Sequence, residues 1–119
     1  MAGSAALTSP AFREAPVWER IITYTFASGD TTEVKYALPM NGILQKIHVK
    51  CGANTASATT TVAIDDNADN EVWKVAALAV ETTYAYSVSE PLTGVIDIGI
   101  LPSADPTSAF VVTVYLRGI

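Results

Sequence analysis

From residue 19 to residue 117, apolar and polar side chains alternate at nearly every second position. That period puts one set of side chains on each face of a pleated strand, so the chain reads as β-sheet with one buried face. Residues 19–27 place Ile22, Tyr24 and Phe26 on one side and Thr23 and Thr25 on the other. Ser28-Gly29-Asp30 then predicts a turn, because glycine accepts positive φ and aspartate bonds its own backbone. Residues 32–38 resume with Val34, Tyr36 and Leu38 inside and Glu33 and Lys35 outside. Pro39-Met40-Asn41-Gly42 follows, and Asn-Gly between apolar runs predicts a hairpin.

Residues 43–51 carry Ile43, Gln45, Ile47, Val49 and Cys51 on one face, the expected core face. Leu44, Lys46, His48 and Lys50 share the other. A small-residue loop over 52–58 leads to a strand at 59–64 and a polar stretch from Asp65 to Glu71. Residues 72–80 are mixed. Ala77, Leu78 and Ala79 favour a helix, with Asp69 or Asn70 as its N-cap. Trp73, Val75 and the short length favour a strand, and the strand is the reading adopted. Residues 84–89 and 95–101 alternate on either side of a turn at Pro91-Leu92-Thr93-Gly94. Residues 109–117 put Phe110, Val112, Val114 and Leu116 inward without interruption, which predicts a central strand.

These segments amount to seven or eight strands with turn signals about every 8–12 residues. The predicted class is all-β, a single-domain β-sandwich of jelly-roll-like architecture. An immunoglobulin-like sandwich is the runner-up. Residues 1–18 keep no period and contain Pro10 and Pro16, so they read as an N-terminal extended arm ahead of a sandwich domain at 19–119. Phe12, Val17 and Trp18 are costly to leave in water. They are expected to anchor the arm, on its own core or on a partner.

The chain has 119 residues, of which half are hydrophobic and 16% charged. A typical charged share is about 25%. Some surface is therefore expected to be covered by a partner, unless the abundant Thr, Ser and Ala supply a mild neutral cover. The net charge of −5, with seven dispersed basic residues, argues against nucleic acid and against anionic membrane surfaces. No apolar run reaches the ~18 residues of a membrane span. The opening Met1–Leu7 lacks the basic and apolar regions of a signal peptide, and Cys51 has no second cysteine to pair with. Both fit assembly in a reducing cytoplasm.

Candidate chemistry is sparse. Asp65, Asn67 and Asp69 match the first half of an EF-hand calcium loop. Asn70 then stands where the turn needs glycine and Ala76 where a ligand is needed. A looser calcium site on Asp65, Asn67 and Asp69 is one reading; a solvated loop whose Asp and Asn stabilise turns is the other. His48 is the single histidine, flanked by Lys46 and Lys50, and it reads as a surface residue rather than a triad base. Cys51 reads as a buried small hydrophobe. Glu33, Glu90 and Asp97 have no spacing that would pair them for glycoside hydrolysis. Trp18, Trp73, Tyr84, Tyr86 and Tyr115 could form a sugar-stacking platform, though aromatics at strand spacing are more often core or interface. No phosphate loop or dinucleotide fingerprint is present, so the chain is expected to be no enzyme and to need no cofactor.

Three segments carry a resemblance: Pro91-Leu92-Thr93-Gly94, Val95-Ile96-Asp97-Ile98, and Phe110-Val111-Val112-Thr113-Val114-Tyr115-Leu116-Arg117. With the Ala/Ser/Thr-rich texture and the leading arm, they resemble the small all-β decoration, or cement, proteins of tailed bacteriophage heads. The resemblance implies a homotrimer on the outer capsid surface of the virion, assembled in the host cytoplasm, with the major capsid protein as partner. It implies stabilisation of the shell without catalysis, through an N-terminal grip. The alternatives are a carbohydrate- or receptor-binding module of a phage tail or fibre, and another tail or connector structural protein.

Overall fold

A computed structural model describes residues 3–7 and 17–119. Seven strands lie in them: β1 (Ser4–Leu7), β2 (Trp18–Phe26), β3 (Val34–Cys51), β4 (Thr60–Asp65), β5 (Glu71–Leu78), β6 (Thr83–Pro102) and β7 (Phe110–Gly118). All pair antiparallel, in the order β1-β2-β7-β3-β6-β4-β5. The all-β class is as the alternation requires. Residues 72–80 fall in β5 as a strand, and β7 lies between two neighbours.

One continuous sheet makes both layers, because β3 and β6 each run through the two of them. In the first layer, residues 44–51 of β3 lie between β7 and residues 83–90 of β6. In the second, residues 34–43 of β3 pair with residues 91–100 of β6, whose far side carries β4 and then β5. Neither expected turn at Asn41-Gly42 or at Thr93-Gly94 forms a hairpin. The two sites pair with each other instead, Met40 opposite Gly94, Asn41 opposite Thr93 and Gly42 opposite Leu92. The glycines let both strands bend together where the sheet passes from one layer to the other. Gly94 takes φ +84°, and a Cβ on Gly42 would run into the Ile119 carbonyl.

The core lies between the layers. Ile22, Tyr24 and Phe26 of β2, Ile47 and Val49 of β3, and Phe110, Val112, Val114 and Leu116 of β7 meet Val62, Ile64, Ile96, Ile98 and Ile100. Each such aliphatic side chain contributes about 1.5–3 kcal/mol by leaving water. The Tyr24 hydroxyl donates to the Ile98 carbonyl at 2.6 Å and ties the layers across the core. Burial pushes that hydroxyl's pKa far above its ordinary value.

Two further expectations change, and one irregularity accounts for the mixed reading of residues 72–80. The inward set of β3 is Leu44, Ile47, Val49 and Cys51, while Gln45 is exposed. A register shift between Leu44 and Lys46 inserts an extra residue, and such a slip moves side chains to the opposite face. In β5 the pairing steps from Val62–Val75 to Thr60–Leu78, and Ala77 in the step takes φ 59°. That irregularity is why this segment's period is blurred. Ser4–Leu7, expected within an aperiodic arm, pair along β2 from Ser4–Thr25 to Leu7–Ile22. Four residues of Ser, Ala and Leu are too few to display a period, and backbone hydrogen bonds supply the pairing.

Candidate binding surface

The arm anchors expected from sequence divide. Phe12 lies outside the described residues. Val17 is 52% exposed. Trp18 opens β2 opposite Gly118 of β7, and it is half-buried. Room for its indole comes from two glycines, since a Cβ on Gly118 would stand 2.6 Å from Cζ2 and one on Gly42 3.1 Å from Nε1. The Nε1–H is buried with no hydrogen-bond acceptor. Leaving such a donor unmade costs about 1–3 kcal/mol. The Arg20 guanidinium lies 5.9 Å from the ring centroid. Trp18, Arg20, Pro39, Met40 and Asn41 together line a recess of about 190 Å³. Further along β2, β1 is the edge strand of the sheet among the described residues, with Leu7 opposite Ile22 and 41% exposed.

The loop after β4 uses its acids on itself. Asp66 Oδ1 accepts the Ala68 and Asn70 amides at 2.8 and 2.9 Å, which holds the carboxyl below its usual range. Asn67 Oδ1 accepts the Val95 amide at 3.0 Å, so the loop is pinned to β6 beside the bend. Asp65 faces Lys35 Nζ at 3.4 Å, and Asp69 occupies a left-handed turn at φ 61°. The three calcium candidates thus point to separate tasks. Among the described residues, no group of three or more His, Cys, Asp or Glu side chains could hold a metal ion.

The five aromatics considered for sugar stacking fall in three places. Trp18 is at the end of β2 just described. Trp73, Tyr84 and Tyr86 close the open side of the sandwich between β5 and the first half of β6. Trp73 meets Tyr86 edge-on at 5.3 Å, and Tyr84 stacks on Tyr86 at 6.4 Å. These rings are packed on one another and on the core, with the Tyr84 hydroxyl accepting the Ala79 amide. Tyr115 stands alone on the outer face of the first layer, edge-on to His48 at 6.5 Å. Cys51 is buried and free, and burial pushes its thiol pKa up.

The outer faces of the two layers differ in charge, which the linear sequence does not show. On the first layer, cross-strand pairing aligns Glu19, Arg117, Lys46 and Ser87 in one row. Ile21, Tyr115, His48 and Ala85 form the next row, and Thr23, Thr113, Lys50 and Thr83 the third. Only Glu19 offsets the cations, bonded to Arg117 Nε at 2.6 Å. His48, Lys50, Thr83, Tyr115 and Arg117 line a shallow recess of about 300 Å³, and His48 Nε2 has no hydrogen-bond partner. On the second layer, Asp65 and Asp97 stand directly opposite each other. Lys35 lies between Glu33 at 3.8 Å and Asp65 at 3.4 Å, and these acids hold its ammonium pKa above the ordinary value. Glu33 also covers Gly99, where a Cβ would stand 2.7 Å from its carboxylate. Glu90, the third carboxylate considered for glycoside chemistry, pairs with Leu44 in the first layer, away from Glu33 and Asp97.

No family model and no curated protein matches the chain. Solved structures with the same fold do. A chain from Bacillus endospore appendages, described as disulfide-linked pili, aligns with TM-score 0.55 at 12% identity over 95% of this chain and 96% of that one. A chain in the acid-stable capsid of Helicobacter pylori bacteriophage KHP30 aligns with TM-score 0.51 at 14% identity, covering 97% and 92%. The mitogen of Yersinia pseudotuberculosis aligns with TM-score 0.50 at 10% identity, covering 83% and 86%. At these identities the likeness is one of fold, an all-β sandwich of about this length.

Proposed function

We propose that this chain is a structural protein of a phage particle that sits on the outer surface of the capsid and stabilises the shell without catalysis. The observation that carries the reading is the Trp18 end. There an exposed Val17 precedes a half-buried indole with an unmade Nε1–H bond, at the start of β2, whose later residues pair with the edge strand β1 and its exposed Leu7. Apolar anchors beside an open strand edge are the means by which one protein chain holds another. The match to a chain of similar length in a phage capsid supports the same reading. The major capsid protein is the partner it implies, and contact between copies on the shell belongs to it. A carbohydrate-binding role is less favoured, because Trp73, Tyr84 and Tyr86 use their ring faces and edges on one another.

The test is cosedimentation with heads of the source phage assembled without this protein. Wild-type chain is expected to pellet with the heads and to raise their resistance to heat. Val17→Asp, at an exposed position, is expected to bind roughly tenfold more weakly, as loss of an interface anchor does. Wild-type chain that stays in the supernatant overturns the reading.

A further inference from the structure

The two outer faces of the sandwich carry opposite charge on a chain whose net charge is −5. The first-layer face holds Lys46, Lys50 and Arg117 around His48, with Glu19 as the single carboxylate in its three central rows. The second-layer face holds Glu33, Asp65, Asp97 and Glu71 against Lys35 and Lys74, so its carboxylates outnumber its cations. Two of those carboxylates, Asp65 and Asp97, are directly cross-strand from each other, with the Lys35 ammonium beside them. On the other face, His48, Lys50, Arg117 and two hydroxyl-bearing residues, Thr83 and Tyr115, line a shallow recess. Each face also offers exposed apolar side chains between its charges, Val111 on the first and Val95 and Leu101 on the second.

From this complementarity we infer that copies of the chain associate face to face, the acidic face of one copy seated on the basic face of the next. The Asp97, Asp65 and Glu33 carboxylates meet Lys46, Lys50 and the His48 recess, and the valines and Leu101 fill between them. The contact is heterologous, joining two different surfaces. The two surfaces point in opposite directions on each copy, so the contact repeats in a row instead of closing into a small ring. The inference deepens the contact between copies in the proposed function, and it needs no shell to be tested.

The experiment uses two charge-reversed variants of the full chain, Lys46→Glu/Lys50→Glu and Glu33→Lys/Asp97→Lys. All four residues point outward, and a circular dichroism melt confirms that each variant folds. Sedimentation velocity of wild-type chain at about 10 mM salt is expected to show a concentration-dependent series of species. That series should collapse to monomer near 1 M salt, where the screening length is only about 3 Å. Each variant alone is expected to stay monomeric, because its two faces then share one sign. Mixing the two variants is expected to restore the series, since a doubly acidic copy can alternate with a doubly basic one. A mixture of folded variants that stays monomeric overturns the inference. So does a wild-type chain that is monomeric at low salt, or one that forms a discrete, salt-insensitive trimer. None of those results bears on head binding through Val17 and Trp18, so the two proposals fail separately.

Discussion

The two layers of this sandwich share one core chemistry and present opposite outer faces. Inward positions on both are Ile, Val, Leu and aromatic residues, buried to nearly the same degree. Outward, the first layer shows Lys46, His48, Lys50 and Arg117 with Glu19, and the second shows Glu33, Asp65 and Asp97 with Lys35. Strand alternation fixes which residues point out and leaves their identity open, because an outward side chain contributes little to packing. The charge difference is therefore a property of the surface that folding does not demand. It is where contacts with other molecules are to be sought.

The comparison depends on the core and the bend that hold the faces apart, and substitutions there break it most. Ile98→Ala removes a fully buried side chain from the residue whose carbonyl also receives the Tyr24 hydroxyl. Chemical denaturation is expected to show a loss of about 2–5 kcal/mol. Gly94→Ala strikes the bend, since a Cβ at φ +84° would stand 2.6 Å from Asn67 Oδ1. The expected loss is about 1–3 kcal/mol, with the loop at 65–71 displaced in an NMR spectrum.

Tyr24→Phe cuts the tie between layers and is expected to cost about 1–2 kcal/mol. It also carries a pH signature. The folded hydroxyl keeps its proton well above the ordinary tyrosine value of about 10, at which the unfolded chain ionises. Wild-type stability from this group is thus fully present below about pH 10 and lost as pH rises beyond it, while the Tyr24→Phe variant has no such contribution to lose. The smallest expected effect, confined to the second layer, is Ala77→Gly. Glycine relieves a left-handed backbone at φ 59°, so a gain of up to about 1 kcal/mol is expected in the same denaturation series.

The fold was legible wherever local period and final pairing agree. β2 and β7 alternate cleanly, and their inward sets are those the sequence marks. The reading failed where glycine means something other than a turn. Asn41-Gly42 has the composition of a hairpin, yet Gly42 pairs with Leu92 and serves a bend shared by two long strands. That role is set by residues some fifty positions away, which no local window contains. The Gln45 bulge was hidden for the same reason, since a register shift exists only relative to β7 and β6. Of the candidate surface, Trp18 and Val17 were visible as apolar residues in a polar context. Its glycine-lined seat at Gly42 and Gly118 was not, nor was the segregation of charge between faces.

A reconstruction of the source phage particle by electron cryomicroscopy tests the central claim most directly, with wild-type heads compared against heads lacking this protein. The account predicts difference density of small sandwiches in contact with one another on the outer capsid surface, with the Trp18 end and edge strand β1 turned toward the shell. Heads identical with and without the chain, or difference density confined to the tail, would contradict it.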